Sequence, residues 1–203
     1  MAELLTPWGY SVEVGDPAGG DAAMPPLLDV PAFREMTGGR MSSGDGVVLA
    51  KLRAASSVVR DWCGWHVAPV MACACEMDGG SRTLLLPCMG IRSLGSVSVG
   101  GEAWEGCEWA ARGELRLPRA TPPRLRLVRV AFRAGYDAAS AQALSQVVCQ
   151  LVENALVATP GLREEHAGNV GATYNQTESG VSGGVRLLPS DRAALALYRI
   201  TDT

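Results

Sequence analysis

The chain has 203 residues, of which 47% are hydrophobic and 19% are charged, and its formal net charge is −3. This composition supports about one folded domain of ordinary size and excludes a wholly disordered chain. The mild acidic excess also argues against a protein that coats nucleic acid with a globally basic surface.

The first 29 residues form an acidic segment that is rich in glycine and proline. It contains five acidic residues and no basic residue, and we find no apolar period along its length. Such a segment is not expected to fold alone. We therefore predict an extended arm that lies on a neighbouring chain or on its own domain. The five acidic residues are Glu3, Glu13, Asp16, Asp21 and Asp29.

Two helices are predicted after the arm. The first covers about 30–37, where Asp29 can cap the N-terminus and Pro31 suits the first turn. The second covers about 45–62 and carries one apolar stripe at steps of three and four residues. The stripe consists of Val48, Leu52, Ala55, Val59 and Trp62.

The hydrophobic period changes to two between about 66 and 136, which predicts short antiparallel strands separated by glycine and proline turns. In the last strand the apolar phase slips at 127–128, which predicts a bulge or a strand buried on both faces. The strand candidates are Thr83–Leu86, Ser96–Val99, Trp104–Trp109 and Arg124–Phe132.

Two more helices are predicted near the C-terminus. One covers about 137–158, with Asp137 as its cap, and the other covers about 190–198. Between them, 161–186 is polar and glycine-rich, with one strand near 171–175.

Together these elements predict an α+β fold. A small helical core (about 45–62, 137–158 and 190–198) carries a β-rich antiparallel excursion (about 66–136) and an extended N-terminal arm. We expect residues 1–29 to form the arm and 30–203 to form a single domain.

Several common site types are missing from the sequence. Lys51 is the single lysine among 18 basic residues and is followed by Leu52, so there is no P-loop. Neither HExxH nor GxGxxG occurs. No apolar run approaches the roughly 20 residues of a membrane span, and Glu3 in a segment without bases argues against a signal peptide. We expect reduced cysteines, no cofactor and no membrane partner.

One cluster has the residue types of a metal site. Cys63, His66, Cys73 and Cys75 are four soft ligands within thirteen residues. Their spacing is not that of a standard zinc knuckle, and reduced cysteines are also ordinary core residues. The sequence therefore favours core packing, with a zinc- or thiol-dependent enzyme as the alternative. Three further cysteines have no histidine nearby and are interpreted as core residues: Cys88, Cys107 and Cys149.

Two other short patterns are interpreted as loops. Gly180–Gly184 matches GxSxG, but no histidine follows Ser182 to complete a catalytic triad. Glu164-Glu165-His166 is the one local group of acid–base residues, and it follows a predicted helix end in a polar stretch. We predict no catalytic residue.

Seven arginines fall within 22 residues, opposed by Glu114 alone, so this segment has a net charge of 7 − 1 = +6 and the rest of the chain −3 − 6 = −9. A solvated strand edge is one interpretation. The other is a basic ribbon that faces DNA phosphate or an acidic neighbouring subunit. The arginines are Arg112, Arg116, Arg119, Arg124, Arg126, Arg129 and Arg133.

The order of several short motifs resembles the head–tail connector (head-completion or adaptor) proteins of tailed bacteriophages. An alanine-rich helix runs into Cys63-Gly-Trp-His-Val-Ala-Pro69, and a glycine-rich hairpin and a Leu-Pro step follow. The later motifs are Val97–Gly101, Glu108-Trp109, Gly135-Tyr136, Pro160–Arg163, Gly171 and Leu197-Tyr198-Arg199.

This resemblance implies a structural virion protein rather than an enzyme. Such connectors form a ring, usually twelvefold, beneath the portal, and they bridge the portal to a stopper or tail-terminator protein around the channel through which double-stranded DNA passes. The resemblance implies assembly in the host cytoplasm and a final place at the head–tail junction. It supplies no catalytic residue, and another neck component of the stopper or tail-terminator type is an alternative.

Overall fold

The computed structural model describes residues 2–15, 23–137, 140–157, 164–167, 170–173 and 185–200. It has the α+β fold predicted from the sequence. The described strands are β1 (Ala2–Leu5), β2 (Tyr10–Val14), β3 (Met71–Met77), β4 (Thr83–Leu85), β5 (Ile91–Val99), β6 (Glu102–Ala103), β7 (Glu108–Trp109), β8 (Glu114–Arg116), β9 (Val128–Ala134), β10 (Glu164–Ala167) and β11 (Val170–Thr173). The described helices are α1 (Val30–Met36), α2 (Asp45–Cys63), α3 (Gln142–Val157) and α4 (Pro189–Leu195), the last followed by a 3₁₀ turn over Ala196–Tyr198.

The chain divides into two compact units. One contains Met1–Pro25, Cys63–Ser140 and Tyr198–Thr203, and the other contains Pro26–Trp62 and Ala141–Leu197. The first unit holds most of the strands, and the second holds most of the helices. The predicted boundary at residue 29 stays a prediction. No helix within the described ranges is both long enough and apolar enough to cross a membrane.

The main sheet of the first unit is antiparallel, with the order β1-β2-β3-β9-β5-β6. Strict alternation along β9 explains its central position, because neighbouring residues of a strand point to opposite faces. Val128, Val130, Phe132 and Ala134 are buried, whereas the arginines between them are exposed. The strand therefore supplies one apolar face and one charged face.

The N-terminal arm is extended, as predicted, but its first part belongs to the sheet of its own chain. Tyr10, Val12 and Val14 alternate into the core, and β2 pairs with β3. This alternation was not predicted, because it covers only the five residues between Gly9 and Gly15. Contact of the remaining arm with a neighbouring chain stays a prediction, and residues 16–22 lie outside the described residues.

The β region agrees with the predicted strands in part. β4 falls within the predicted Thr83–Leu86 segment, and Ser96–Val99 is the end of the longer β5. The predicted strand 104–109 is wrong for most of its length, since only the pair Glu108–Trp109 is a strand.

The predicted strand 124–132 begins later, at Val128, so the phase slip at 127–128 marks the start of β9 rather than a bulge within it. The register shifts lie on β5 instead, between Ile91 and Ser93 and between Leu94 and Val97.

The helices α1 and α2 agree closely with those predicted from the sequence. Asp29 caps α1 by accepting a hydrogen bond from the Ala32 N–H at 2.7 Å. Four residues of the predicted α2 stripe are fully buried: Val48, Leu52, Ala55 and Val59. The helix ends at Cys63 and is followed by Gly64, which has a positive φ of 80°.

Two details of the C-terminal half differ from prediction. Asp137 is not the cap of α3, because the helix begins at Gln142 and the Asp137 carboxylate contacts Arg92 at 3.2 Å instead. The segment predicted as a loop around Glu164 is wrong in part, because 164–167 forms β10 and pairs with β11, the strand predicted near 171–175. The GxSxG segment 180–184 lies outside the described residues.

A buried histidine joins three parts of the first unit. The Nε2–H of His66 donates to the Ala134 carbonyl at 3.0 Å, so its Nδ1 is an acceptor and receives the Tyr10 hydroxyl at 2.7 Å. The same hydroxyl accepts the His66 backbone N–H at 2.9 Å. The Trp65 ring packs against the His66 ring, with their centroids 5.3 Å apart. The N-terminal strand β2 is thereby tied to the turn after α2 and to β9.

Replacing Tyr10 by Phe is expected to lower the free energy of unfolding by about 1–3 kcal/mol, because two buried groups of His66 lose this hydrogen-bond partner. Chemical denaturation followed by tryptophan fluorescence measures the change. Tyr136→Phe is the matched control, since the Tyr136 hydroxyl makes no hydrogen bond within the described part of the chain. Equal losses in both variants would contradict the role assigned to the Tyr10 hydroxyl.

Candidate interaction surface

A charged cluster lies on the outer face of the main sheet, where β3 pairs with β9. Glu76 of β3 is in register with Arg129 of β9. Arg129 Nη2 donates to Glu76 Oε1 at 2.6 Å, and Arg126 Nε donates to Glu76 Oε2 at 2.6 Å. One carboxylate therefore accepts from two guanidinium groups; these three residues are called the Glu76 cluster below.

The position of Arg126 is set by its backbone as well as its side chain. Its φ is 51°, a left-handed conformation that is uncommon outside glycine. Its backbone N–H donates to Asp78 Oδ1 at 2.8 Å, which stabilises this turn immediately before β9. Arg126 is thus held at the end of the sheet by contacts to two carboxylates.

These contacts change the acidity of Glu76. The hydrogen bond from Arg129, followed by that from Arg126, lowers the pKa of Glu76 below its ordinary value of 4.5, because both favour the charged carboxylate. Glu76 is ionised at neutral pH and neutralises one of its two arginine neighbours. The cluster keeps a net charge of +1.

Two open grooves meet at the Glu76 cluster. The arginine groove, of about 360 Å³, is lined by the cluster together with Arg124, Leu125, Ser98 and the Gly100-Gly101 turn. A second groove, of about 680 Å³, extends from the cluster across β2 to Glu3 and Leu5 of β1. Leu125 is 78% exposed, so the arginine groove offers an apolar side chain beside its guanidinium groups.

The structure divides the predicted arginine ribbon into two groups, although all seven members are exposed. Arg124, Arg126 and Arg129 line one groove, and Arg133 lies farther along the same face of β9. On the small sheet of order β4-β8-β7, Arg116 of β8 contacts Glu108 at 3.8 Å.

The remaining two ribbon residues flank that small sheet. Arg112 precedes β8, and Arg119 follows it with its guanidinium 4.6 Å from the centre of the Trp104 ring, a cation–π contact. Whether the ribbon faces DNA or a neighbouring subunit stays a prediction.

The candidate metal ligands do not converge. His66 uses both ring nitrogens in the hydrogen bonds to Tyr10 and Ala134, and Cys73 and Cys75 face the core of the sheet. In the described ranges no three His, Cys, Asp or Glu side chains are placed to hold a metal ion. Of the three cysteines predicted to be core residues, Cys88 and Cys149 are buried. Cys107 is half-exposed, so the prediction is wrong there.

Burial also makes the thiols poor nucleophiles. Desolvation raises the pKa of Cys63 and of Cys75 to about 12, and it also raises the pKa of Cys88. The thiolate is the reactive form of cysteine, so these groups are protonated and inert at neutral pH. The four candidate ligands Cys63, His66, Cys73 and Cys75 are all buried, as the core-packing interpretation predicted.

The residues that organise this surface were not predicted from the sequence. Cys73 and Cys75 alternate onto one face of β3, so the same alternation places Glu76 on the opposite face. This position could have been predicted from the sequence. Its partners could not be found this way, because the register of β3 with β9 joins positions about 50 residues apart.

Comparison with known proteins identifies solved structures that share the fold of this chain. No protein-family model and no curated protein sequence matches the chain. The solved structure described as the neck of the empty gene transfer agent (GTA) particle, a phage-like particle, contains a chain with a TM-score of 0.60 and 16% identity, over 91% of this chain and 96% of that chain. A chain in the neck of the native GTA particle gives a TM-score of 0.57 and 17% identity over the same shares. The protein therefore has the fold of a phage-like neck protein, in agreement with the resemblance to head–tail connectors.

The depressed pKa of Glu76 predicts a pH-dependent contribution to stability. The native state favours the ionised carboxylate more than the unfolded state does, so the contribution is present above pH 4.5 and is lost as pH falls through the lowered pKa. We expect Glu76→Gln to lower the Tm at pH 7 and to have little effect in strong acid. Thermal melts of both proteins from pH 7 to pH 2 measure this. A Tm difference that does not change with pH would contradict it.

Proposed function

We propose that the chain is a structural subunit of the neck of a tailed-phage or phage-like particle, a connector between the portal and the next neck component. The observation that supports this most directly is the neck fold, shared over 91% of this chain and 96% of the matching chain. The ordered motifs from Cys63–Pro69 to Leu197-Tyr198-Arg199 point to the same class of protein. The proposed role is structural and requires no catalytic residue, metal or cofactor.

A ring is the proposed assembly. The two GTA neck structures were computed with C6 and C12 symmetry. A cyclic ring needs two unlike surfaces on each subunit that fit head to tail. Charge segregation supports such surfaces, because residues 112–133 have a net charge of +6 and the rest of the chain −9.

Non-specific double-stranded DNA is the second proposed contact, in the channel that the ring surrounds. Arg112 and Arg133 are exposed and form no ion pair with a described carboxylate. Guanidinium contacts to phosphate carry no sequence information, as a channel for any DNA requires.

The proposed partners are therefore the portal on one side, a stopper or tail-terminator protein on the other, further copies of this chain and the passing DNA. Subunits would assemble in the host cytoplasm and remain at the head–tail junction of the virion. The alternative is that this chain is itself the stopper or tail-terminator.

The ring is tested with the purified chain, alone and mixed with its cognate portal, by mass measurement and negative-stain imaging. We expect a ring docked on the portal, whether or not the chain is monomeric when alone, and portal alone is the control. A chain that ignores the portal would refute the connector role. Binding only to a complete portal–connector complex or to a tail tube would instead identify a stopper or tail-terminator.

The DNA contact is tested by the salt dependence of binding. In the chain assembled on the portal, Arg112→Gln with Arg133→Gln is expected to reduce the slope of log Kobs against log salt by about 0.9 for each lost phosphate contact. Arg53→Gln with Arg192→Gln removes two exposed charges from the helical unit and is the matched control. Fluorescence anisotropy of short duplex DNA measures both. Identical slopes in the two double variants would exclude the proposed contact.

A further inference from the structure

The two grooves that meet at the Glu76 cluster form one continuous groove across the outer face of the main sheet, called the joined groove below. It begins at Glu3 and Leu5 of β1 and reaches Ser98 of β5. These strands are four steps apart in the sheet, and neighbouring strands lie about 4.8 Å apart, so the joined groove is about 19 Å long. An extended chain rises about 3.3 Å per residue, so about seven residues fill this length.

The floor of the joined groove between β1 and the Glu76 cluster is low. Leu5, Ser11 and Ala74 are paired in register on β1, β2 and β3, and directly paired residues lie on the same face of a sheet. Ser11 and Ala74 have small side chains and are half-buried. A polypeptide backbone is therefore able to approach the sheet closely at this point.

Each half of the joined groove contains a strongly exposed leucine. Leu5 is 77% exposed at the β1 end, and Leu125 is 78% exposed in the arginine groove. Together with Leu197 of the other unit they are the three most exposed large apolar side chains among the described residues. A single exposed leucine is ordinary, but two in one groove indicate a partner that covers both.

The charge of the joined groove is positive at one end and negative at the other. Arg124, Arg126 and Arg129 supply three positive charges and Glu76 one negative charge, so the arginine groove has an excess of two positive charges. The Arg124 side chain makes no ion pair or hydrogen bond with a described residue. Glu76 occupies only some of the five N–H donors on each of its two arginine partners. The β1 end carries the carboxylate of Glu3.

A protein segment fits this pattern better than DNA does. A sugar–phosphate backbone supplies anions for the arginines, but it has no apolar side chain to cover Leu5 or Leu125. Its continuous negative charge would also be repelled by Glu3 at the β1 end. An extended peptide carries carboxylates, which match the guanidinium fork, and apolar side chains on one strand.

From these observations we infer that the joined groove binds an extended acidic segment of another protein, about seven residues long. The segment has an apolar side chain at each end, which cover Leu5 and Leu125, and carboxylates between them that contact Arg124 and Arg129. The joined groove belongs to a single chain, so this inference goes beyond the proposed ring and does not depend on it.

The site is tested by titrating the ¹⁵N-labelled full-length chain with the capped peptide Leu-Ser-Glu-Ser-Glu-Ser-Leu, followed by two-dimensional NMR. Alternate side chains of an extended chain share a face, so both leucines and both glutamates of the peptide are able to face the groove. We expect saturable shifts of the Ser11 and Ala74 amide signals and of the Arg129 Nε–H signal. Peptides with Gln in place of both Glu, or Ser in place of both Leu, should bind about tenfold more weakly.

Substitutions in the chain test the same contacts from the other side. Arg124→Gln with Arg129→Gln should weaken binding of the acidic peptide about tenfold, because the carboxylates lose their guanidinium partners. Leu5→Ser should weaken it by a similar factor, because an apolar contact is lost. The amide spectra of the unbound variants, compared with that of the unmodified chain, show whether each variant is folded.

Matched controls remove the same groups from exposed positions of the other unit. Arg53→Gln with Arg192→Gln removes two arginines, and Leu197→Ser removes an exposed leucine. Both control variants should bind the acidic peptide as tightly as the unmodified chain does. A loss of affinity equal to that of the groove variants would contradict the assigned contacts.

Three results would overturn the inference. The first is the absence of saturable shifts with the acidic peptide. The second is a response of the same signals to short duplex DNA but not to the peptide, which would make the groove a phosphate site. The third is a dependence of these signals on protein concentration without peptide, which would make a second copy the occupant. None of these measurements involves the portal, so the connector role is tested separately.

Discussion

The pairing of β9 with a strand on each side is the constraint on which the rest of the first unit depends. β9 bonds to β3 along seven residues and to β5 on its other edge, so it cannot shift register without breaking both ladders. A shift by one residue would also turn its arginines into the core, because the side-chain period of a strand is two. The core and the charged outer face are thus specified by the same seven residues.

The features that were predicted correctly from the sequence are those that a local pattern of residues specifies. The Asp29 cap, the stripe of α2 and the glycine that ends it depend on residues within a few turns of each other, and the structure has them as expected. The strands were harder, because their partners are distant in sequence. The N-terminal strand β2 was missed because its alternation covers only five residues, and its pairing with β3, some 60 residues away, leaves no local signal in the sequence. Asp137 was misassigned because a carboxylate before an apolar helix suits a cap, yet a distant arginine, Arg92, holds it.

The candidate surface also depends on contacts between residues that are distant in sequence, which local pattern does not predict. Charge counting found seven arginines in one segment, but it could not show that Glu76 neutralises part of that charge or that the segment covers two sheets. In the fold, part of the ribbon lines a groove beside Glu76, and the rest lies on or beside the β4-β8-β7 sheet. Whether these two groups face DNA, a neighbouring subunit or one of each stays a prediction.

The buried thiols have a consequence for the life of a particle. Under the proposed function, the subunit would be synthesised in a reducing cytosol and then persist in a released particle, where exposed cysteines meet oxygen and peroxides. Oxidation proceeds through the thiolate, and burial keeps Cys63, Cys75 and Cys88 protonated and away from solvent. Burial therefore protects these three free thiols from oxidation. The half-exposed Cys107 is the described site at which ageing by oxidation would begin.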